Sequence, residues 1–69
     1  MNYNEWADEY MENADRMMNV ILKKMALLND KKLSSDARKS ISDTLIVYRR
    51  IYRELLAVAD YLRARGITS

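Results

Sequence analysis

The chain has 69 residues, with 12 lysines and arginines, 10 aspartates and glutamates, no cysteine, no histidine and no proline. This composition excludes disulfides and thiolate or imidazole metal sites and removes the commonest general base, so we expect no catalytic residue, metal or cofactor. The net charge of +2 is too small to indicate a nucleic-acid partner by itself. The length allows one domain, residues 1–69, which is marginally stable alone and therefore favours oligomerisation.

Membrane and export signals are not expected in this sequence. No segment approaches the ~18–20 consecutive apolar residues that a membrane span requires. The N-terminus lacks the basic start and apolar core of a signal peptide. Because no span is present, we do not expect the protein to bind membranes. The lack of cysteine is compatible with a reducing compartment, so we expect a cytoplasmic protein.

Helix one is predicted over about 3–29, because the only glycine is Gly66 and nothing before it breaks a helix. Asn2 and Glu5 have the spacing of a capping box, with Met1 and Trp6 at the positions of a hydrophobic staple. The apolar arc covers about half of the helix circumference. It consists of Tyr3, Trp6, Tyr10, Ala14, Met17, Ile21, Met25 and Leu28, and is widened on one side by Met11, Met18 and Leu22.

A polar loop is predicted over about 30–34. Asn29 or a neighbour is expected to take the left-handed conformation that ends many helices. Ser34 or Ser35 is expected to cap the second helix, with Asp36 in its first turn. A connection this short joins antiparallel helices.

Helix two is predicted over about 35–65. Its apolar residues form two adjacent rows at helical spacing, with Ile41, Leu45, Tyr48, Tyr52, Leu55, Ala59 and Leu62 in the first and Thr44, Val47, Ile51 and Val58 in the second. Ile46 and Tyr61 are apolar exceptions on the polar side. Gly66 is predicted to end the helix, with Ile67 contacting Leu62. The alternative to one continuous helix two is a break near Thr44, which would give a bundle of three helices.

Folding at the loop would place residue i opposite roughly residue 65 minus i. The apolar pairs predicted from this register are Met17–Tyr48, Tyr10–Leu55 and Trp6–Ala59. The predicted charged pairs are Glu12–Arg53, Asp15 with Arg49 or Arg50, and Glu5 or Asp8 with Arg63. Such exposed pairs fix register and direction more than they add stability.

The width of the apolar arcs predicts a partner. A surface helix in a monomer usually shows a stripe of roughly 100°, and both arcs are wider. One hairpin would leave an apolar strip larger than monomers tolerate. We therefore expect a homodimeric four-helix bundle, with a tetramer or a protein that supplies the missing helices as alternatives. The residues expected at this dimer or partner-helix interface are Met11, Met18, Leu22, Val47, Ile51 and Val58.

Basic residues cluster on helix two. Arg49, Arg50 and Arg53 share one face, with Lys39 a few turns earlier. Guanidinium groups bind phosphates and carboxylates, so these four residues are the candidate contacts for nucleic acid or for an acidic partner. The other interpretation is structural, because the acids of helix one are placed to neutralise the cluster.

These patterns predict an all-α antiparallel two-helix hairpin that dimerises into a four-helix bundle. Its expected function is that of a small non-enzymatic protein-interaction or regulatory module that recognises another protein through its helical faces. The alternative is an RNA- or DNA-binding dimer that uses the arginine-rich face of helix two. The acids of helix one are interpreted as a solvated face and not as a cation site.

Overall fold

The computed structural model describes the backbone of residues 2–68 and the side chains of residues 2–66. It contains two α-helices, α1 over Tyr3–Leu27 and α2 over Ser35–Thr68, and no strand in this part of the chain. The helices pack together as an elongated hairpin of 53 × 14 × 14 Å. The predicted all-α hairpin is confirmed. The three-helix alternative is wrong, because α2 continues unbroken through Thr44.

The start of α1 is the predicted capping box. Asn2 Oδ1 accepts a hydrogen bond from the Glu5 backbone N–H at 2.8 Å, and Glu5 Oε2 accepts one from the Asn2 N–H at 3.4 Å. These bonds satisfy backbone donors that have no partner within the helix. The predicted staple involves Met1, which lies outside the described residues.

The end of α1 is a tightened turn. Leu28 has φ −67° and ψ −16°, and no described residue has a positive φ, so the predicted left-handed turn at Asn29 or a neighbour is wrong. The N–H groups of Leu28, Asn29 and Asp30 donate instead to carbonyls three residues earlier, at 3.1–3.2 Å. Such bonds satisfy the terminal carbonyls, so α1 ends at Leu27, two residues before the predicted end.

The first of the two predicted capping residues, Ser34, caps the N-terminus of α2. Its Oγ accepts a hydrogen bond from the N–H three residues later at 3.1 Å, and its carbonyl accepts one from the N–H four residues later at 2.9 Å. At the far end, the helix continues through Gly66 to Thr68. The predicted helix end at Gly66 is wrong, because Gly66 lacks the positive φ that this ending uses. The predicted contact of Ile67 lies outside the described side chains.

The two helices are antiparallel, in a register that differs from the predicted one. At the open end Asp8 lies beside Arg63 and Asn4 lies beside Gly66, so residue i faces roughly residue 70 minus i. The apolar pairs predicted from the other register are therefore displaced by more than one helical turn. Trp6, for example, lines a hollow with Val58, Tyr61 and Leu62.

The path of the loop explains this displacement. In the observed register Leu27 stands opposite roughly residue 43, so the first two turns of α2 extend beyond the end of α1. The loop covers this extension, because the Arg38 guanidinium donates to the carbonyl of Leu28 at 2.6 Å and to that of Asp30 at 3.1 Å. Consequently α2 spans the whole molecule, since its 34 residues give about 51 Å at ~1.5 Å per residue.

The core of the hairpin is a thin seam. Its buried side chains are Ala7, Ala14, Ile21, Leu45, Ala59 and Leu62. Three of these are alanines, whose small side chains let the helix axes approach closely. The predicted apolar arc of α1 omitted Ala7 and included Trp6, whereas Ala7 is 0% exposed and Trp6 is 45% exposed. The hairpin therefore covers only a narrow stripe of each apolar arc.

Candidate interaction surfaces

A concave apolar surface lies on one side of the buried seam, and we name it the aromatic face. Its centre is a hollow of about 660 Å³ whose lining side chains are Trp6, Glu9, Tyr10, Asn13, Val58, Tyr61 and Leu62. Tyr61 is 57% exposed, more than Trp6. Glu9 is the one charged side chain in the described lining. An exposed apolar patch with a polar edge is typical of protein-binding surfaces.

Neighbouring side chains order the two large rings of this face. The Tyr3 ring packs edge-to-face on Trp6, with ring centroids 6.1 Å apart and planes at 66°. Arg65 Nε donates a hydrogen bond to the Tyr61 hydroxyl at 2.7 Å, and the guanidinium carbon lies 5.1 Å from the Tyr61 ring centroid. Rings that are ordered in the free protein lose less conformational entropy when a partner binds.

Three valine and isoleucine side chains extend the aromatic face along α2. At ~100° per residue, Val47, Ile51 and Val58 fall within about 40° of one another, on the side of α2 that brings Val58 into the hollow. Val47 and Val58 are both exposed, and Ile51 is half-buried. On α1, Val20 lies within about 40° of Trp6 by the same geometry. The aromatic face therefore continues from the open end toward the loop.

A second surface, which we name the arginine groove, lies on the opposite side of the seam. It has a volume of about 330 Å³ and is lined by Met18, Ile21, Met25, Arg49, Tyr52 and Arg53. Met18 follows the buried Ala14 by four residues, and Tyr10 of the aromatic face precedes it by four. At ~100° per residue Tyr10 and Met18 lie about 40° to either side of Ala14, so the two surfaces are on opposite sides of the seam.

The arginines of this groove form no ion pair among the side chains that the structure describes. The predicted pairs, Glu12 with Arg53 and Asp15 with Arg49 or Arg50, are absent from the same set. Glu12 Oε2 instead lies 3.8 Å from Arg16 Nη2, one turn along α1. The register accounts for this result, because a shift of about five residues moves the acids of α1 past these arginines.

On the side of the hairpin that carries the arginine groove, one arginine at each end is bound to another group of the chain. Arg63 Nη2 lies 3.0 Å from Asp8 Oδ1, which confirms this predicted pair. At the other end, the Arg38 guanidinium is held by two loop carbonyls. Arg38, Arg49 and Arg63 fall within about 40° of one another on α2. Among the described side chains, the arginines at the two ends of this side are thus bound to other groups of the chain, whereas those in its middle have no carboxylate partner.

The remaining basic candidates lie away from the groove. Arg50 is about 100° from Arg49 around α2, and Lys39 is within about 20° of Arg50. Both side chains are exposed on the outer surface of the hairpin. The four predicted basic contacts are therefore split into a pair at the groove and a pair on the outer surface.

The six residues predicted for a single interface are likewise divided between two surfaces. Met18 lines the groove, and Met11 and Leu22 lie within about 40° of it on α1. The other three residues, Val47, Ile51 and Val58, belong to the aromatic face. No single flat partner surface can contact both sets at once.

Sequence reasoning missed the role of Tyr61, which it treated as an exception on the polar side of α2. The structure makes Tyr61 one wall of the aromatic hollow. Its position three residues after Val58 was the available signal, since residues so spaced lie on one helix face. Tyr61 also precedes Arg65 by four residues, the spacing of the observed hydrogen bond.

Comparison of the chain with protein-family models, with curated proteins and with solved structures finds no match. Within the described residues, neither helix has an apolar stretch long enough to cross a membrane. Residues in the same part of the chain form no group of three or more side chains suited to hold a metal ion. The two surfaces are therefore the features of the hairpin that bear on its function.

Proposed function

We propose that the protein is a non-enzymatic interaction module that forms a homodimeric four-helix bundle through its aromatic face. The supporting observation is the surface area of the hairpin. It exposes 5386 Å², whereas a folded monomer of 8.1 kDa exposes about 4,500 Å². The excess of about 900 Å² is close to the roughly 800 Å² that each partner buries in a standard interface.

The thin core supports the same proposal. Half of the buried side chains are alanines, and no large side chain is fully buried among the described residues. Apolar burial is the main favourable term in folding, at roughly 25 cal/mol per Å². A second hairpin would add the burial that this seam lacks.

The chemistry of the two surfaces favours the aromatic face as the contact between copies. A two-fold interface brings the same patch of both subunits together. Across the arginine groove, such a contact would bring Arg49 and Arg53 toward the same residues of the other copy, and like charges repel. The described lining of the hollow at the centre of the aromatic face has one charged side chain, Glu9, and several large apolar side chains.

Sedimentation velocity at several protein concentrations tests the dimer. The wild-type chain should sediment as a dimer at high concentration, and Trp6→Ala and Tyr61→Ala should shift the equilibrium toward monomer. Ile46→Ala is the matched control, because Ile46 is 58% exposed on the outer surface and belongs to neither face. A wild-type chain that remains a monomer throughout would contradict the proposal.

The unpaired cations of α2 support a second candidate function, nucleic-acid binding by the dimer. Arg49, Arg50, Arg53 and Lys39 form no ion pair among the described side chains, and dimerisation would double their number. Binding through phosphates falls steeply with salt. A gel-shift titration with duplex RNA and DNA at low and moderate salt tests this function, and failure to bind at low salt would eliminate it.

A further inference from the structure

We infer that the arginine groove binds an amphipathic helix of a partner protein that carries two carboxylates one helical turn apart. The inference rests on the proposed function in one respect: a dimer formed through the aromatic face leaves this groove open on each protomer. Each dimer would then carry two identical binding sites on opposite outer sides.

The spacing of the two arginines defines the carboxylate pair. Arg49 and Arg53 are four residues apart on α2, which separates them by about 6 Å along the helix. Neither forms an ion pair among the described side chains, so both guanidinium groups are available. A helix lying along α2 with Asp or Glu at positions i and i+4 presents carboxylates at the same separation. Arginine binds carboxylates through paired, charge-assisted hydrogen bonds.

The floor of the groove supplies an apolar contact beside these charges. Met18, Met25 and Tyr52 line it, and Met25 is 40% exposed. Leu22, on the same side of α1, is 54% exposed. Methionine side chains adapt to the shape of an apolar partner, and grooves of this kind bind the apolar stripe of a helix.

This combination favours a peptide over a nucleic-acid backbone. A phosphate backbone is polar throughout and would leave the methionine floor against water or sugar. An amphipathic helix places apolar side chains on the floor and carboxylates over the arginines at the same time. Asp15 lies on the α1 edge of the groove side, about 60° from Met18, so the carboxylates of the partner belong on the α2 edge.

Selection from a displayed library tests the inference. The library consists of helical 18-residue peptides with leucines fixed at one face and the flanking positions randomised, and the target is the full-length chain. Enriched peptides should carry Asp or Glu four residues apart, next to the leucines. A library that yields no enriched sequence, or one whose enriched peptides lack this acidic pair, would overturn the inference.

Two double variants locate the binding site of the enriched peptides by fluorescence anisotropy. Arg49→Gln with Arg53→Gln should weaken binding by at least about tenfold, since it removes both charge-assisted contacts. The matched control, Lys39→Gln with Arg50→Gln, removes the same charge from the outer surface and should change affinity less than about twofold. An equal loss in both variants would indicate general charge attraction and would overturn the inference.

A 20-base-pair RNA duplex and sedimentation of the same samples separate the remaining outcomes. RNA binding that excludes the enriched peptides and is lost in the groove variant would assign the groove to phosphate and overturn the peptide inference. The groove variant should remain a dimer, because the dimer uses the other face. A chain that binds the peptide as a monomer would contradict the proposed dimer but not the groove.

Discussion

Arg63 Nη2 lies 3.0 Å from Asp8 Oδ1 and joins the last turns of α2 to the second turn of α1. This contact connects residues that are 55 positions apart in the sequence. It is incompatible with any large slip of one helix along the other, because a displacement of one turn would separate the two side chains by about 5.4 Å. The pair therefore reports the register directly.

Removal of the Asp8–Arg63 pair should have a small effect on stability. Their side chains are 73% and 50% exposed, and exposed pairs contribute about 0.2–1 kcal/mol. Arg63→Ala should lower the free energy of unfolding by that amount, and the loss should shrink at high salt. A double-mutant cycle with Asp8→Ala, measured by urea unfolding, isolates the pair. A coupling energy of zero would contradict the prediction that this pair stabilises the hairpin.

The close approach of the helices at Ala14 should make the seam intolerant of larger side chains. Ala14 is 1% exposed, so Ala14→Leu forces the helices apart and should destabilise the hairpin by about 1–3 kcal/mol. Ala26→Leu is the control, because Ala26 is exposed on the same helix. Thermal unfolding of both variants at equal concentration checks this prediction. Equal melting temperatures of the two variants would contradict the close packing of the helices at Ala14.

The Arg38 guanidinium should hold the loop against the first turns of α2. It donates to the Leu28 carbonyl at 2.6 Å and to the Asp30 carbonyl at 3.1 Å, and the Asp30 carbonyl also accepts the Leu33 N–H at 3.2 Å. Arg38→Ala should therefore speed amide hydrogen exchange in the loop, while exchange in the middle of α1 remains slow. Lys39→Ala, which changes the neighbouring exposed side chain, should leave loop exchange unchanged. Similar exchange in the two variants would show that the loop is ordered by other contacts.

The helical conformation of Gly66 predicts that alanine at this position is stabilising once the Asn4 side chain is shortened. Alanine is favoured over glycine in a helix by up to about 1 kcal/mol, but a Cβ at Gly66 would lie 2.6 Å from Asn4 Oδ1. The clash involves the end of a flexible side chain, so Gly66→Ala alone should be close to neutral. Combined with Asn4→Ala, it should raise the melting temperature above that of Asn4→Ala alone. A lower melting temperature for the double variant would contradict the helical end of α2.

Local features of this fold could be predicted from the sequence because short-range chemistry determines them. Asn2 and Glu5 form the predicted capping box, and Ser34 is one of the two predicted caps of α2. The helix ends predicted at Asn29 and Gly66 were wrong. Helices often end in a left-handed residue, but here backbone hydrogen bonds tighten the last turn of α1, and α2 continues through Gly66.

The register and the surfaces could not be predicted from the same signals. The register depends on the path of the loop, which a hydrogen bond from Arg38 fixes and which no spacing rule reveals. Ala7 was missed because alanine contributes little to an apolar pattern, although its small size is what allows close packing. The width of the apolar arcs indicated unsatisfied surface, but it did not show that the seam divides this surface into an aromatic face and an arginine groove.

The fluorescence of Trp6 on dilution tests the central claim most directly, because Trp6 is the only tryptophan and lies at the centre of the proposed dimer contact. If the aromatic face joins two copies, the emission maximum should be blue-shifted at high concentration. It should move to the red on dilution, with a midpoint that matches the monomer–dimer equilibrium measured by sedimentation. An emission maximum that stays constant across that equilibrium would show that Trp6 is outside the contact and would contradict the account.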